Sequence, residues 1–357
     1  MGKYLVKRFI YLFIVFILLS LFMYLIYDAI PFDRARYLSE QQKNQYIKDP
    51  DGPAKLEALY HEYRVELGYE DRDGNEINVM ERWLAWLGIM PIDGEFRGVL
   101  QGEFGNSYGS VVKPVMEVIK EPMKTTVWIN ILATVLALGI TIPLGIFCAV
   151  KKGSKRDTLI QVGSIIGYSL PTFIIAILFI FLFAILLPVF PVSGMNTPGS
   201  PYTGIMSILD RLYYMCLPLI VMTFCSLGGM TRFVRASMIE ALSMDCIRTA
   251  RAKGLKERTV IYSHAWRNAL IPIVTLVIGW FLGIFSGSVM IEQMFEINGM
   301  GRVYIQALTS NDNNVVLTLQ MFYVFIALIG NLIIDILYGI PIHCLDANNV
   351  ASVIVGK

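Results

Sequence analysis

The stretch RTARAKGLKERTVIYSHAWRNALIP, Arg248 to Pro272, is basic, carries a glycine near its middle and lies between two long apolar runs. A connection of this kind between apolar runs lies at a membrane surface. It reads as two short helices meeting at Gly254, the first a good helix former from Glu240 to Lys253. The second, from Leu255, places Leu255, Thr259, Tyr262, Trp266 and Ala269 on one face. Two readings stand at this point. The bracket seats in a groove on another protein, or it lies on anionic lipid, drawn there by the eight Lys and Arg residues between Arg232 and Arg267.

Working outward, the composition excludes a soluble domain. Hydrophobic residues make up 55% of the 357, charged residues only 16%, and the mean hydropathy is positive. The net charge of +2 says little, because the placement of charge matters more than its sum. Cys148, Cys216, Cys225, Cys246 and Cys344 are scattered without CxxC spacing, so they read as small core hydrophobes and not as a disulfide framework or metal site.

Apolar runs long enough to cross ~30 Å of hydrocarbon predict six helices. They fall at Phe9–Tyr27, Thr125–Val150, Leu159–Phe190, Leu212–Met230, Ala269–Ile291 and Val315–Ile340. The first carries no small-x-small cleavage site and reads as uncleaved. Lys and Arg concentrate in KKGSKRD, Lys151 to Asp157, and between Arg232 and Arg267, whereas the loop from Phe190 to Asp210 has none and that from Glu292 to Asn314 has only Arg302. This asymmetry puts both termini and those two loops in the cytoplasm. The expected organisation is therefore residues 1–30 as the N-terminal end and first span, 31–124 as an external domain, 125–341 as a five-helix core containing the 232–267 loop, and 342–357 as a cytoplasmic tail.

The external segment is patterned. Leu56, Leu59, Tyr60, Tyr63 and Leu67 recur at helical spacing, and Trp83, Trp86 and Leu87 repeat the pattern in a second short helix. GEFGNSYG, Gly102 to Gly109, follows, and its glycines call for a tight turn; Gly102, Phe104, Gly105 and Ser107 are its marked positions. Within the spans, Gly163 and Gly167 form a GxxxG pair, and Gly279, Gly283 and Gly287 a longer row that would let backbones approach closely. Pro143 and Pro171 interrupt helical hydrogen bonding and read as fixed kinks or moving hinges. Few ionisable groups approach membrane depth: Asp335, one turn after Asn331, and Glu292 at the outer end of the fifth helix.

Catalytic constellations are missing from the sequence. His61, His264 and His343 lie far apart, and neither HExxH nor a GxxxxGK[ST] phosphate loop occurs. A transporter built this way borrows its energy, and no ladder of carboxylates and histidines supports a proton-driven carrier.

RASMIEAL, Arg235 to Leu242, then RTARAKGLKER and HAWRNALIPIVT closely resemble the cytoplasmic "EAA" loop of ABC importer permeases of the oligopeptide, dipeptide and nickel branch. IPLGI at Ile142, GYSLPTF at Gly167, PVSG at Pro191, IEQMFEINGMGR at Ile291 and NLIIDILYG at Asn331 extend the likeness through most of the chain. The resemblance implies an all-α polytopic subunit of type I importer fold with an external domain after its first helix. It also implies a second, related permease, two cytoplasmic ATPase subunits that hold ATP and Mg, and an extracellular or periplasmic substrate-binding protein. No cofactor, metal or nucleic acid is expected on this chain, which sits among lipid in a bacterial or archaeal cell membrane. By the same likeness Arg248, Thr249, Ala250, Arg251, Ala252, Lys253, Gly254 and Leu255 form the ATPase-coupling loop, with Arg248 standing where the loop's naming glutamate would be. The cargo implied is peptides, with nickel or another small solute as the alternative. Two departures stand out: GIPIHCLDANN from Gly339 replaces the usual LLDPR ending, and the external segment carries the additional DRDGNEIN, Asp71 to Asn78, and PIDGEFRG, Pro91 to Gly98.

Overall fold

The computed structural model describes residues 2–47, 49–91, 95–108, 112–285 and 287–355, with side chains from 6 to 336. The readings placed on Gly109, on residues 92–94 of PIDGEFRG and on the side chains of His343, Cys344 and the 342–357 segment lie outside the described residues. The chain forms two compact units, one of Met1–Ile119 with Tyr304–Phe325, the other of Lys120–Val303 with Ile326–Lys357.

The first unit begins with α1 (Gly2–Asp28), whose apolar residues Phe9, Phe13, Leu18 and Phe22 stay exposed, as a lipid-facing span requires. Short helices follow: α2 (Arg34–Gln41), α3 (Lys43–Tyr46), α4 (Gly52–Glu66) and α5 (Val79–Leu87). Asp33 caps α2 by accepting from the Arg36 amide at 3.0 Å, and Asn78 caps α5 through the Met80 amide at 3.0 Å. Trp83 and Leu87 of α5 are buried; Trp83 Nε1 donates to Ser20 Oγ of α1 at 3.3 Å, and Arg82 pairs with Asp28 at 2.7 Å. The expected apolar face of α4 is present but only half covered.

GEFGNSYG takes a form the glycines alone did not foretell. Gly102 and Gly105 adopt φ of +83° and +74°, and the chain then enters a two-stranded antiparallel ribbon, β1 (Asn106–Tyr108) and β2 (Val112–Pro114), with Ser107 opposite Lys113. This ribbon is the only sheet among the described residues of an otherwise helical chain.

The second unit holds most of the spans. They lie in α6 (Val115–Val150), the pair α7 (Lys155–Ser169) and α8 (Thr172–Ile180), α9 (Ile205–Ser243), α12 (Trp266–Gly283) and α15 (Asn313–Val355), with α10 (Asp245–Ala252) and α11 (Glu257–Thr259) between α9 and α12, and α13 (Val289–Met294) and α14 (Met300–Thr309) between α12 and α15. Five helices are long and apolar enough to cross a membrane, and α7 with α8 makes a sixth span if the bent pair is counted as one. That bend is 104°. Pro171 causes it: Leu170, the residue before proline, is held extended with ψ 137°, and α8 restarts after the ring. Pro143, in contrast, sits inside an uninterrupted α6. The two prolines singled out together are therefore not equivalent.

Close approach in this unit falls largely on glycines other than the expected ones. A methyl group on Gly145 would lie 2.6 Å from Val234 Cβ, one on Gly228 would collide with Ser164 O, and one on Gly330 with the Leu282 side chain. Gly167 is a real contact, 3.3 Å from Phe224 by the same measure, but Gly163, Gly279 and Gly283 face open space within the chain. The fifth span also ends earlier than its apolar run suggests. The helix stops at Gly283, so Gly287, with φ +67°, lies beyond it and does not continue the row on a helical face.

Candidate functional site

The connection from α9 to α12 is a seated bracket. The single helix expected from Glu240 to Lys253 is two, because Met244 is extended (φ −66°, ψ 149°) between α9 and α10. Ile247 and Ala250 of α10 are buried, Ala250 at 4% exposure, among Met238, Ala241, Val260, Ile261, Ala265 and Ala269. Arg248, Thr249, Arg251 and Ala252 form the opposite, exposed face. Ala250 is thus small because its own chain packs over it, whereas Ala252 is small on an open surface.

At the end of α10 the Gly254 amide donates to Arg251 O at 2.9 Å and the Leu255 amide to Ala250 O at 3.4 Å. This is the Schellman closure, and it needs the left-handed φ of +76° that Gly254 adopts. A methyl on Gly254 would touch nothing within 4 Å, so the demand is conformational and not steric. The Arg251 guanidinium closes the bracket, donating to Glu257 through Nη2 at 2.6 Å and Nε at 3.2 Å. Lys253 stands exposed beside it, and Leu255 is 41% exposed.

The second arm does not present the face that its spacing suggests. Of that face only Trp266 and Ala269 pack inward; Leu255, Thr259 and Tyr262 are exposed, and Val260, Ile261 and Ala265 are buried. A π-helical turn over Val260–Ala265 is the reason: its extra residue per turn rotates the inward stripe relative to a 3.6-residue period.

A buried ion pair anchors the base of the bracket. Asp157 accepts from Arg235 Nε and Nη2, both at 2.8 Å, and also from the Gly153 amide at 2.9 Å. Asp157 is 3% exposed, and a fork-to-carboxylate pair of this geometry is both strong and directional. Arg235 belongs to the RASMIEAL run, so that motif is tied to the α6–α7 loop through the residue three places after the cap Ser154, whose Oγ accepts from the Asp157 amide at 3.2 Å. Sequence reading counted Asp157 only as a loop charge; the Ser154-x-x-Asp157 spacing, a capping-box pattern, was the signal available.

The IEQMFEINGMGR motif folds around its first carboxylate. Glu292 is 1% exposed; Thr126 Oγ1 donates to it at 2.8 Å and the Arg302 amide at 3.0 Å. The Thr126 hydroxyl in turn accepts from the Met300 amide at 2.8 Å. Burial raises the Glu292 carboxyl above its ordinary range, opposed by the Thr126 hydroxyl and then by the amides of Arg302, Gly301 and Ser288. Gly299 lies so close that a methyl there would strike both Glu292 and Thr126. Gly279 and Gly283 line a cavity of about 270 Å³ in the same unit, together with Asn130, Thr134, Ser226 and Trp280.

In the first unit, Ser107 of the GEFGNSYG motif donates to Asp312 Oδ2 at 2.6 Å, and Asn314 Nδ2 donates to Asn106 O at 2.9 Å. Gly102 is exposed and Phe104 half-buried. The motif thus binds two segments 205 residues apart in sequence. Within the second unit, Arg248–Leu255 and the glycines Gly163, Gly167, Gly279, Gly283 and Gly287 are separate groups.

Spans that leave apolar faces for lipid, joined by a braced basic bracket, define an integral membrane protein. The chain belongs to the family of binding-protein-dependent transport system inner membrane components, which residues 141–341 match. It is similar to the oligopeptide transport system permease protein AppB of Bacillus subtilis, at 36% identity over 262 residues, covering 72% of this chain and 78% of that protein. The dipeptide transport system permease protein DppB of Escherichia coli K12 is 35% identical over 68% of this chain and 76% of its own length. DppB of Lactococcus lactis is 30% identical over 81% and 84%. A chain of the MetNI methionine ABC transporter, in inward-facing form, aligns with a TM-score of 0.48 at 16% identity, covering 62% of this chain and 97% of that one. The chain is accordingly a multi-pass, non-catalytic membrane component of an ABC transporter.

Proposed function

We propose that this permease takes up peptides, oligopeptides foremost, by alternating access, as one of two related membrane subunits driven by two cytoplasmic ATPases. The substrates in the names of its relatives support peptides as the cargo. An external binding protein delivers the cargo, and ATP and Mg belong to the ATPase partners. Both termini and the bracket face the cytoplasm in this reading, in keeping with the Lys and Arg asymmetry of the loops.

The observation that carries the mechanism is the two-faced α10. Its inner face, Ile247 and Ala250, is fixed to the ends of the transmembrane helices, while Arg248, Thr249, Arg251 and Ala252 face out. A push on the outer face is therefore delivered to α9 and α12 and is not absorbed by a loose loop. Coupling needs such a rigid element, whose two positions differ in free energy between nucleotide states.

The test uses Ala252→Trp, which adds bulk on the open face, and Gly254→Val, which opposes the left-handed turn. Each is expected to lower peptide-stimulated ATP hydrolysis by about tenfold, within the usual range of coupling energies, while the permease remains folded. Full copurification of the ATPases and normal stimulation in both variants would sink the docking role and favour a bracket lying on lipid.

A further inference from the structure

The first unit contains a cavity of about 610 Å³ that the coupling role leaves unused, with aromatic walls from Tyr24, Tyr27, Tyr69, Trp86 and Tyr108. Its volume is that of a small-molecule site. A second hollow of about 430 Å³ shares Tyr27, Asp28, Tyr69, Arg82 and Asn313 with it, so the two adjoin.

Hydrogen-bonding capacity in this cavity is unbalanced. Arg34 Nη1, Arg82 Nε and Trp86 Nε1 are buried donors without a hydrogen-bond partner among the described residues, and all three residues line it. Arg34 is 5% exposed, and its Nη2 makes only long contacts, 3.5 Å to Tyr108 O and 3.6 Å to Asp312 Oδ2. Arg82 spends both terminal nitrogens on Asp28, at 2.7 and 3.0 Å. Of the neighbouring acceptors, Glu66 accepts from the Tyr108 hydroxyl at 3.1 Å and Glu70 is held by Arg64 and His61, while Asp312 Oδ1, outside the lining, is buried without a hydrogen-bond partner among the described residues. Buried donors left unmade are costly, so three in one cavity define a place for a ligand rich in acceptors. Glu81, which also lines the cavity, is exposed and has no ion-pair partner among the described residues. Buried donors together with an exposed carboxylate on the lining match a zwitterion with an apolar body.

We propose that this cavity binds a short peptide, with its C-terminal carboxylate on Arg34, a carboxylate or carbonyl oxygen on Trp86 Nε1, its amine toward Glu81 and its side chains among the tyrosines. The choice of a peptide over other carboxylates rests on the transport reading; the carboxylate itself rests on the donors.

The test is calorimetric titration of the full-length chain in lipid nanodiscs with the tripeptide Ala-Phe-Ala, its C-terminal amide and sodium acetate. Binding should saturate and weaken about tenfold or more with the amide and with Arg34→Gln, and about threefold or more with Trp86→Phe, which keeps the ring and removes the N–H. Arg34 also braces Asp312, so Trp86→Phe decides if Arg34→Gln is not recovered folded. Absent saturation, equal binding of acid and amide, indifference to Trp86→Phe, or displacement by acetate at equal concentration would overturn the proposal. Uptake of the same peptide by cells separates the two readings: uptake without this binding sinks the cavity alone, and binding without uptake keeps the cavity and sinks peptide transport.

Discussion

At the scale of single residues, Glu292 shows how this chain uses a buried carboxyl. Its neighbours are donors: the Thr126 hydroxyl and the amides of Arg302, Gly301 and Ser288. An amide side chain has the same shape, but its NH₂ would face one of those donors. Glu292→Gln is therefore expected to cost about 1–3 kcal/mol, the usual penalty for a buried donor without an acceptor. Thermal unfolding of the detergent-purified protein checks this, and an unchanged midpoint would mean the cradle is not formed. The role of Glu292 is structural: it pins the loop after the fifth span to the start of the second.

At the scale of elements, the packing of α7 on α9 is decided by Gly228. Its Cα sits against the backbone of Ser164 and the Cβ of Tyr168, with Gly167 facing Phe224 one layer away. Helices approach this closely only where side chains are missing, which is how van der Waals contact and not a hydrophobic drive holds helices together in lipid. Gly228→Leu should force the pair apart and cost at least about 1–3 kcal/mol, as overpacking does elsewhere. Gly163→Leu, on the open face, serves as the control and should leave the yield of folded protein unchanged. Equal yields from both variants would contradict this packing. The bracket follows the same logic, since Met244 and Gly254 break its helix at both ends and set the direction of α10.

At the scale of the whole molecule, the orientation of the spans fixes which surface meets which partner. Cysteines placed at Lys152 and Lys256, both exposed, in a background with Cys246 and Cys344 replaced by Ser, should react only with reagents that enter the cytoplasm. One placed at the exposed Asn75 should react with an impermeant maleimide added outside. Labelling of Lys256→Cys from outside would reverse the proposed orientation and with it the role of the bracket.

The class of the molecule was legible in the sequence because lipid imposes simple rules. Apolar runs of the required length and the bias of Lys and Arg gave the spans and their expected orientation, and the glycine in RTARAKGLKER marked the turn that Gly254 makes. Long-range partners were not legible. Nothing local ties Asp157 to Arg235, Thr126 to Glu292 or Ser107 to Asp312, since each pair joins segments 78 to 205 residues apart. Periodicity failed where helices depart from a regular repeat: at Met244, at the π-helical turn of Val260–Ala265 and at Gly283, where the apolar run continues but the helix does not. Sequence alone determined that this chain crosses a membrane and carries a basic bracket. Tertiary packing alone decided which face of the bracket is bound and which is free, because burial depends on neighbours that the chain brings together only by folding.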